Sequence, residues 1–188
     1  MKLTKKSASL LTTAALLAGI SLAWPANRTV TEILPTVSAV SFSSVTSFQI
    51  TVGSSPTMTI SRAGEDSWEL TEPISGPADA QAVRSLLRHI NRGFEFDVRV
   101  DSENYDQYGL DNGQRVLFEI FSNSDVPTHS ISIGSDTFGG GSFVRLPNSE
   151  VVYRGNVGSR LSYARNPSDW RDKMVTLVED GSIVSMRI

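Results

Sequence analysis

The chain has no cysteine among its 188 residues. That excludes disulfides, thiolate nucleophiles, cysteine-held zinc and lipid attachment through an N-terminal cysteine. Histidine is scarce: His89 and His129 are the two, and neither belongs to a His-x-x-x-His or Glu-x-x-His pair. Zinc-ligand spacing is therefore missing as well. Basic charge is also short, with 17 Lys and Arg against 20 Asp and Glu and a formal net charge of −3. Three of those cations are Lys2, Lys5 and Lys6, so the rest of the chain sets 14 basic residues against 20 acidic ones. No basic stripe is present, which speaks against a nucleic-acid partner. An anionic bilayer surface would repel this body. There is no repeat of short period.

Catalytic patterns are equally thin. Ser130, Ser142 and Ser159 lack the Gly-x-Ser-x-Gly setting of a nucleophile elbow. Gly139-Gly140-Gly141-Ser142 lacks the lysine of a phosphate loop and reads as a loose connection. Asp101, Glu103 and Asp106, with Asp111 nearby, form the densest acidic group. Carboxylate oxygens suit calcium, but Asp106 stands where an EF-hand needs Gly, and Asn112 where it needs Glu. These acids read as a solvated loop. His89 is expected at a helix end and His129 at an exposed strand edge. No catalytic residue, cofactor or metal is expected.

What the sequence does have begins at its N-terminus. A basic head, Met1 to Lys6, precedes an uncharged run from Ser7 to Asn27. Leu10, Leu11, Leu16, Leu17, Ile20, Leu22 and Trp24 make it apolar. Residues 1–26 read as an export signal, with cleavage after Ala23, or as a single retained anchor. An uncharged run of about 20 residues is long enough to cross a bilayer. Either way the body is expected outside the inner membrane, on the periplasmic side of a bacterial cell. Residues 27–44 read as a tether and first strand region, and 45–188 as one domain.

That domain is organised around a helix following Gly76, with Pro77 expected in its first turn and Asp79 near its positive end. Val83, Leu86, Leu87 and Ile90 fall at i, i+3, i+4 and i+7, one face of a helix. Burying four such side chains is worth roughly 6–12 kcal/mol before entropy. Gly93 supplies the stop. Period-two alternation marks strands at Phe48–Val52, Met58–Ile60, Trp68–Leu70, Phe94–Val100, Val116–Ile120, Ile131–Ile133, Phe143–Leu146, Val151–Tyr153 and Val184–Ile188. Asn156–Arg165 suggests a short helix. Asn166-Pro167-Ser168-Asp169 suggests another, with Asn166 as cap and Trp170 and Met174 sharing its face. The fold class is α+β: a mostly antiparallel sheet of eight or nine strands, one main helix and one or two short ones.

Taken in order, Trp68-Glu69-Leu70-Thr71-Glu72-Pro73, Tyr108-Gly109-Leu110-Asp111, Gly134, Phe143-Val144-Arg145, Val152-Tyr153 and Trp170-Arg171-Asp172-Lys173 resemble a bacterial family known as domain of unknown function 4340. The likeness spans most of residues 45–188. It implies export, a single N-terminal membrane helix and, for some members, genes beside transporters of the gliding-motility type. Members often carry the unit more than once. On that pattern this chain ends at Ile188, where a second unit's first strand would begin, and Ile183–Ile188 is expected to complete its own sheet. The resemblance brings no catalytic residue with it.

The expected role is that of an accessory module binding a larger membrane or envelope complex. Trp170, Arg171, Lys173, Tyr105 and Tyr108 are the candidate partner-binding residues, because Trp, Tyr and Arg anchor interfaces. Trp170 is expected to be half-buried. Two alternatives stand. One is a small-ligand or glycan module rimmed by the Tyr105–Asp111 loop and the glycine loop. The other is a hydrolase using Asp101 and Asp106.

Overall fold

The alternating stretches become strands. In the computed structural model, residues 34–100 and 104–174 are described. They form β1 (Thr36–Val37), β2 (Ser47–Val52), β3 (Met58–Arg62), β4 (Trp68–Glu72), β5 (Gly76–Pro77), α1 (Ala80–Ile90), β6 (Phe94–Val100), β7 (Val116–Phe121), β8 (His129–Asp136), β9 (Ser142–Arg145), β10 (Val152–Gly155) and α2 (Pro167–Trp170). The N-terminal segment from Leu10 to Trp24, the acids Asp101 and Glu103, and the strand expected at Val184–Ile188 lie outside the described residues. Among the described residues no helix is long and apolar enough to cross a membrane.

All ten strands join one sheet in the order β1-β6-β10-β9-β8-β7-β2-β3-β4-β5, and its pairings are antiparallel. The class is α+β, as expected, but with more strands. β1 falls in the tether and first strand region and β5 has no counterpart among the expected strands; each is two residues long and too short to show a period. They are the two edges of the sheet, and short edge strands offer little template for unwanted pairing.

Helix α1 runs from β5, at one edge, to β6, beside the other. It therefore crosses the inner face of the sheet. Val83, Leu86, Leu87 and Ile90 are all buried and share one core with Phe48, Ile60, Leu70 and Phe118. The helix begins later than its sequence suggested. Pro77 sits in β5 opposite Glu69, where an edge strand tolerates a residue without N–H. Asp79 is the cap itself, its Oδ1 accepting from the N–H groups of Gln81 (2.8 Å) and Ala82 (3.1 Å). At the far end Gly93, with φ of 72°, turns the chain, and a Cβ there would lie 2.6 Å from the Val37 carbonyl oxygen.

Register fixes which side chains share a face. Ile120, Phe48, Ile60 and Leu70 form one row on the inner face. Val100, Val152, Arg145, Ser132, Leu117 and Thr51 form another on the outer face. The strict alternation read into Phe94–Val100 breaks here. Arg154 pairs with Val98 but Gly155 with Phe96, so Asp97 is an extra residue. This bulge moves Val98 and Val100 to the outer face, and Val98 is exposed.

The C-terminal stretch also departs from expectation. Asn156–Arg165 holds only a 3-10 turn at Arg160–Ser162. Helix α2 starts at Pro167, but the Asn166 side chain makes no capping bond. The helix ends at Trp170, after which Arg171 pairs with Ala78 and the Asp172 N–H donates to the Pro77 carbonyl (2.9 Å). The chain thus zips onto β5. Met174 stands 78% exposed and shares no face with Trp170, which is wholly buried against Phe48, ring centroids 6.1 Å apart.

Candidate functional site

The outer face of the sheet carries a built patch. Residues 104–113 leave β6 and fold over β8 and β9, anchored by a 3-10 turn at Asp106–Tyr108 and a left-handed Gly109 (φ 64°). The Leu110 N–H donates to the Tyr105 carbonyl (2.9 Å), which closes the loop. Leu110 is buried, but outside the main core, on the opposite face of the sheet. Gly134 of β8 makes this possible. A Cβ at Gly134 would overlap the Tyr108 carbonyl oxygen and lie 2.8 Å from Leu110 Cγ. The Tyr108 ring packs on Phe143, centroids 4.8 Å apart.

Arg145 is the centre of the patch. It lies in the outer-face row between Val152 and Ser132, and its guanidinium sits 4.5 Å from the centroid of the Tyr105 ring. The Tyr105 hydroxyl in turn donates to the Glu150 carbonyl (3.0 Å). Two open depressions meet at Arg145. One, about 390 Å³, is lined by Arg115, Leu117, Ser130, Ser132 and Arg145 among others. The second, about 420 Å³, is lined by Tyr105, Asp106, Leu110, Asp111 and Arg145 among others. Among the described residues neither Arg115 nor Arg145 is ion-paired with a carboxylate. Asp111 accepts from the Gly113 N–H (2.8 Å) through Oδ1, while its Oδ2 is shut from solvent with no partner. Two guanidinium forks, serine hydroxyls and an aromatic plate make a donor-rich surface suited to recognition.

The five candidate partner-binding residues are not brought together. Tyr105 and Tyr108, both half-buried, belong to this patch. Arg171 and Lys173 are exposed beyond β5, which five intervening strands separate from β9 in the sheet order. Arg171 lays its guanidinium across Gly76. Lys173 pairs with Asp169 at 3.4 Å, a solvent-screened contact of little weight. Trp170 is overturned as a half-buried anchor. It is completely buried, its ring enclosed by Phe48 and overlaid by Arg165, so it holds the core and offers no surface to a partner.

The other titratable candidates sort as follows. Asp106 is exposed and its Oδ1 accepts from the Gln107 N–H (2.9 Å). His89 is exposed near the end of α1. His129 is not at an exposed edge. It opens β8, inside the sheet, opposite Ile120 on the inner face. Its Nδ1 is buried without a partner, and desolvation holds its pKa below the ordinary value.

The glycine loop does not share a rim with the Tyr105–Asp111 loop. Gly139, Gly140 and Gly141 line a separate depression of about 370 Å³ with Glu95, Asp97 and Arg154, and the two sets of lining residues have no member in common. All three glycines have φ between 82° and 100°. Their loop is closed at its base by Asp136. Burial opposes ionisation of Asp136, yet the Arg160 N–H (2.7 Å) and the Ser159 and Ser142 hydroxyls (2.7 and 2.8 Å) outweigh it and hold the carboxyl below its usual range. Among the described residues no three His, Asp or Glu side chains are grouped to hold a metal.

Sequence reasoning missed Arg115, Ser132 and the centrality of Arg145. The alternation Ser130-Ile131-Ser132-Ile133 does mark the serines as outward. Nothing in a single strand reveals which arginine a neighbouring strand sets beside them.

A family model described as domain of unknown function (DUF4340) matches residues 68–188. No curated protein and no solved structure matches the chain. The matched span begins at Trp68, so it leaves out β2 and β3, although β2 lies inside the sheet between β7 and β3.

Proposed function

The chain belongs to the DUF4340 family, and from that premise we propose that it is a non-enzymatic accessory module that binds and stabilises a larger membrane or envelope protein complex. The observation that carries this reading is the patch at Arg145. Arg145 lies where two open depressions meet beside Tyr105, Arg115 lines one of them, and neither has a carboxylate partner among the described residues. Arg and Tyr are the side chains most often found as interface anchors. The Arg145 guanidinium is stacked on the Tyr105 ring, so less of its freedom is lost on binding. Export supports the same reading: residues 1–26 have the pattern of a signal or of a single anchor, which would put the module on the periplasmic side of the inner membrane.

The test uses full-length protein extracted from native membranes in mild detergent. Arg145→Ala and Tyr105→Ala should each lose the copurifying complex while the melting temperature stays within a few degrees of the parent. Retention of the complex by both variants would overturn the reading. Intact mass on the same sample distinguishes a chain cut after Ala23 from one that keeps its N-terminal segment.

A small-ligand or glycan module is the second reading. One observation favours it: Tyr105, Asp106 and Asp111 line the same 420 Å³ depression, an aromatic plate beside polar side chains. It predicts a partner-free monomer whose melting temperature rises with a sugar from a monosaccharide panel and no longer rises in Tyr105→Ala.

A further inference from the structure

A fourth depression lies away from the outer-face patch and from the glycine loop. It opens where the β2–β3 turn meets the segment leading into α2, and it holds about 220 Å³. Its floor is apolar: Ile50 and Met58 are 2% and 4% exposed. Val52 and Ala164 form half-buried walls. Three prolines, Pro56, Pro73 and Pro167, stand around it, and proline walls are already rigid before anything binds. Arg165 is the one charged residue in the lining. Its guanidinium lies 5.2 Å from the Trp170 ring centroid, which fixes its position at the mouth. Among the described residues it is not ion-paired with a carboxylate; the nearby Asp169 is engaged by Lys173.

We infer that this groove is a binding site for a free, straight-chain aliphatic carboxylate of medium length, its chain on Ile50, Met58 and Val52 and its carboxylate on Arg165. An apolar slot with a single cation at the mouth discriminates by length and by head-group charge together. Each methylene that enters should tighten binding about fourfold, from about 0.8 kcal/mol per buried CH₂. A carboxylate facing a planar guanidinium gains a charge-assisted pair that an alcohol or an amine cannot make. The site shares no lining residue with the depressions at Arg145, so its fate is independent of the partner-binding reading.

The experiment is calorimetric titration of the full chain with butanoate, hexanoate, octanoate and decanoate, with octanol, octylamine and the dipeptide Leu-Leu as comparators. Affinity should climb by about fourfold per methylene and then level off where the groove is full. Octanoate should bind at least tenfold more tightly than octanol or octylamine. Arg165→Gln, at an exposed position, should erase the preference over octanol and keep the length dependence. Ala164→Leu, which narrows the groove, should shift the plateau to shorter chains. Equal binding of octanoate and octylamine, or a length dependence that never levels, would overturn the proposal in favour of unspecific adsorption. Tighter binding of Leu-Leu than of octanoate would overturn the ligand class in favour of a peptide C-terminus.

Discussion

Behind α1, the inner face is dry across the sheet: Phe48 and Ile60 have no exposure at all, and Leu87 and Ile90 of the helix have 2%. On the outer face, among the described residues, comparable closure is found at Leu110, 1% exposed, and at Val152, 0% exposed. The two closures are built differently. The inner face is filled by aliphatic and aromatic area on a helix capped at both ends. The outer face is closed by shape: a glycine in β8, a backbone laid directly on it, and the edge of one tyrosine. Area tolerates small changes of outline; a backbone-on-backbone contact tolerates none. The inner face therefore carries most of the stability, and the outer face carries the patch whose geometry matters for recognition.

Three measurements would break or sharpen that contrast. The largest effect belongs to Trp170→Ala on the inner face. Removing a wholly buried ring from beside Phe48 should cost about 3–5 kcal/mol, seen as a drop in the denaturation midpoint. A loss below about 1 kcal/mol would mean that the ring is not part of the core. Next comes Gly134→Ala on the outer face, expected to cost about 1–3 kcal/mol by overpacking. Amides of residues 104–113 should then exchange faster while those of α1 keep their protection. Equal loss of protection in both regions would show the two faces to be one cooperative unit. The smallest effect concerns His129, the polar residue at the end of an inner-face row. Burial depresses its folded pKa below the ordinary 6.5, so folding disfavours the charged ring. Stability should be flat with respect to this group above pH 6.5 and fall as pH drops from 6.5 through the depressed value. His129→Phe should flatten that slope in a denaturation series from pH 7.5 to pH 5. An unchanged slope would assign it to another group.

Much of the inner face could be read directly. Val83, Leu86, Leu87 and Ile90 declare one helical stripe, and all four are buried. Eight of the alternating stretches became strands because a period of two needs only local sequence. The failures have physical causes. Pro77 fits a helix start and an edge strand equally well, and only pairing with Glu69 decides between them. The bulge at Asp97 leaves the alternation of Phe94 to Val100 intact in the sequence while reversing its second half in space. Trp170 follows a correct helix signal, but its burial depends on Phe48, more than a hundred residues earlier. The outer-face patch was legible only in pieces. Tyr105 and Tyr108 were identified, but Arg145 gains its role from Ser132 and Tyr105, which reach it through sheet register and a returning loop.

The seam between β2 and β7 has a consequence for how the chain reaches this structure. Phe48 pairs with Ile120 across roughly seventy residues, and every pairing along that seam spans a similar length. A nascent chain emerging N-terminus first can assemble β2, β3 and β4 as neighbouring hairpins, but one side of β2 waits for β7. Closing so long a loop costs entropy before any contact repays it, which slows folding relative to a protein built from local contacts. During that wait the unsatisfied side of Ser47–Val52 is open to capture by a chaperone or by another copy.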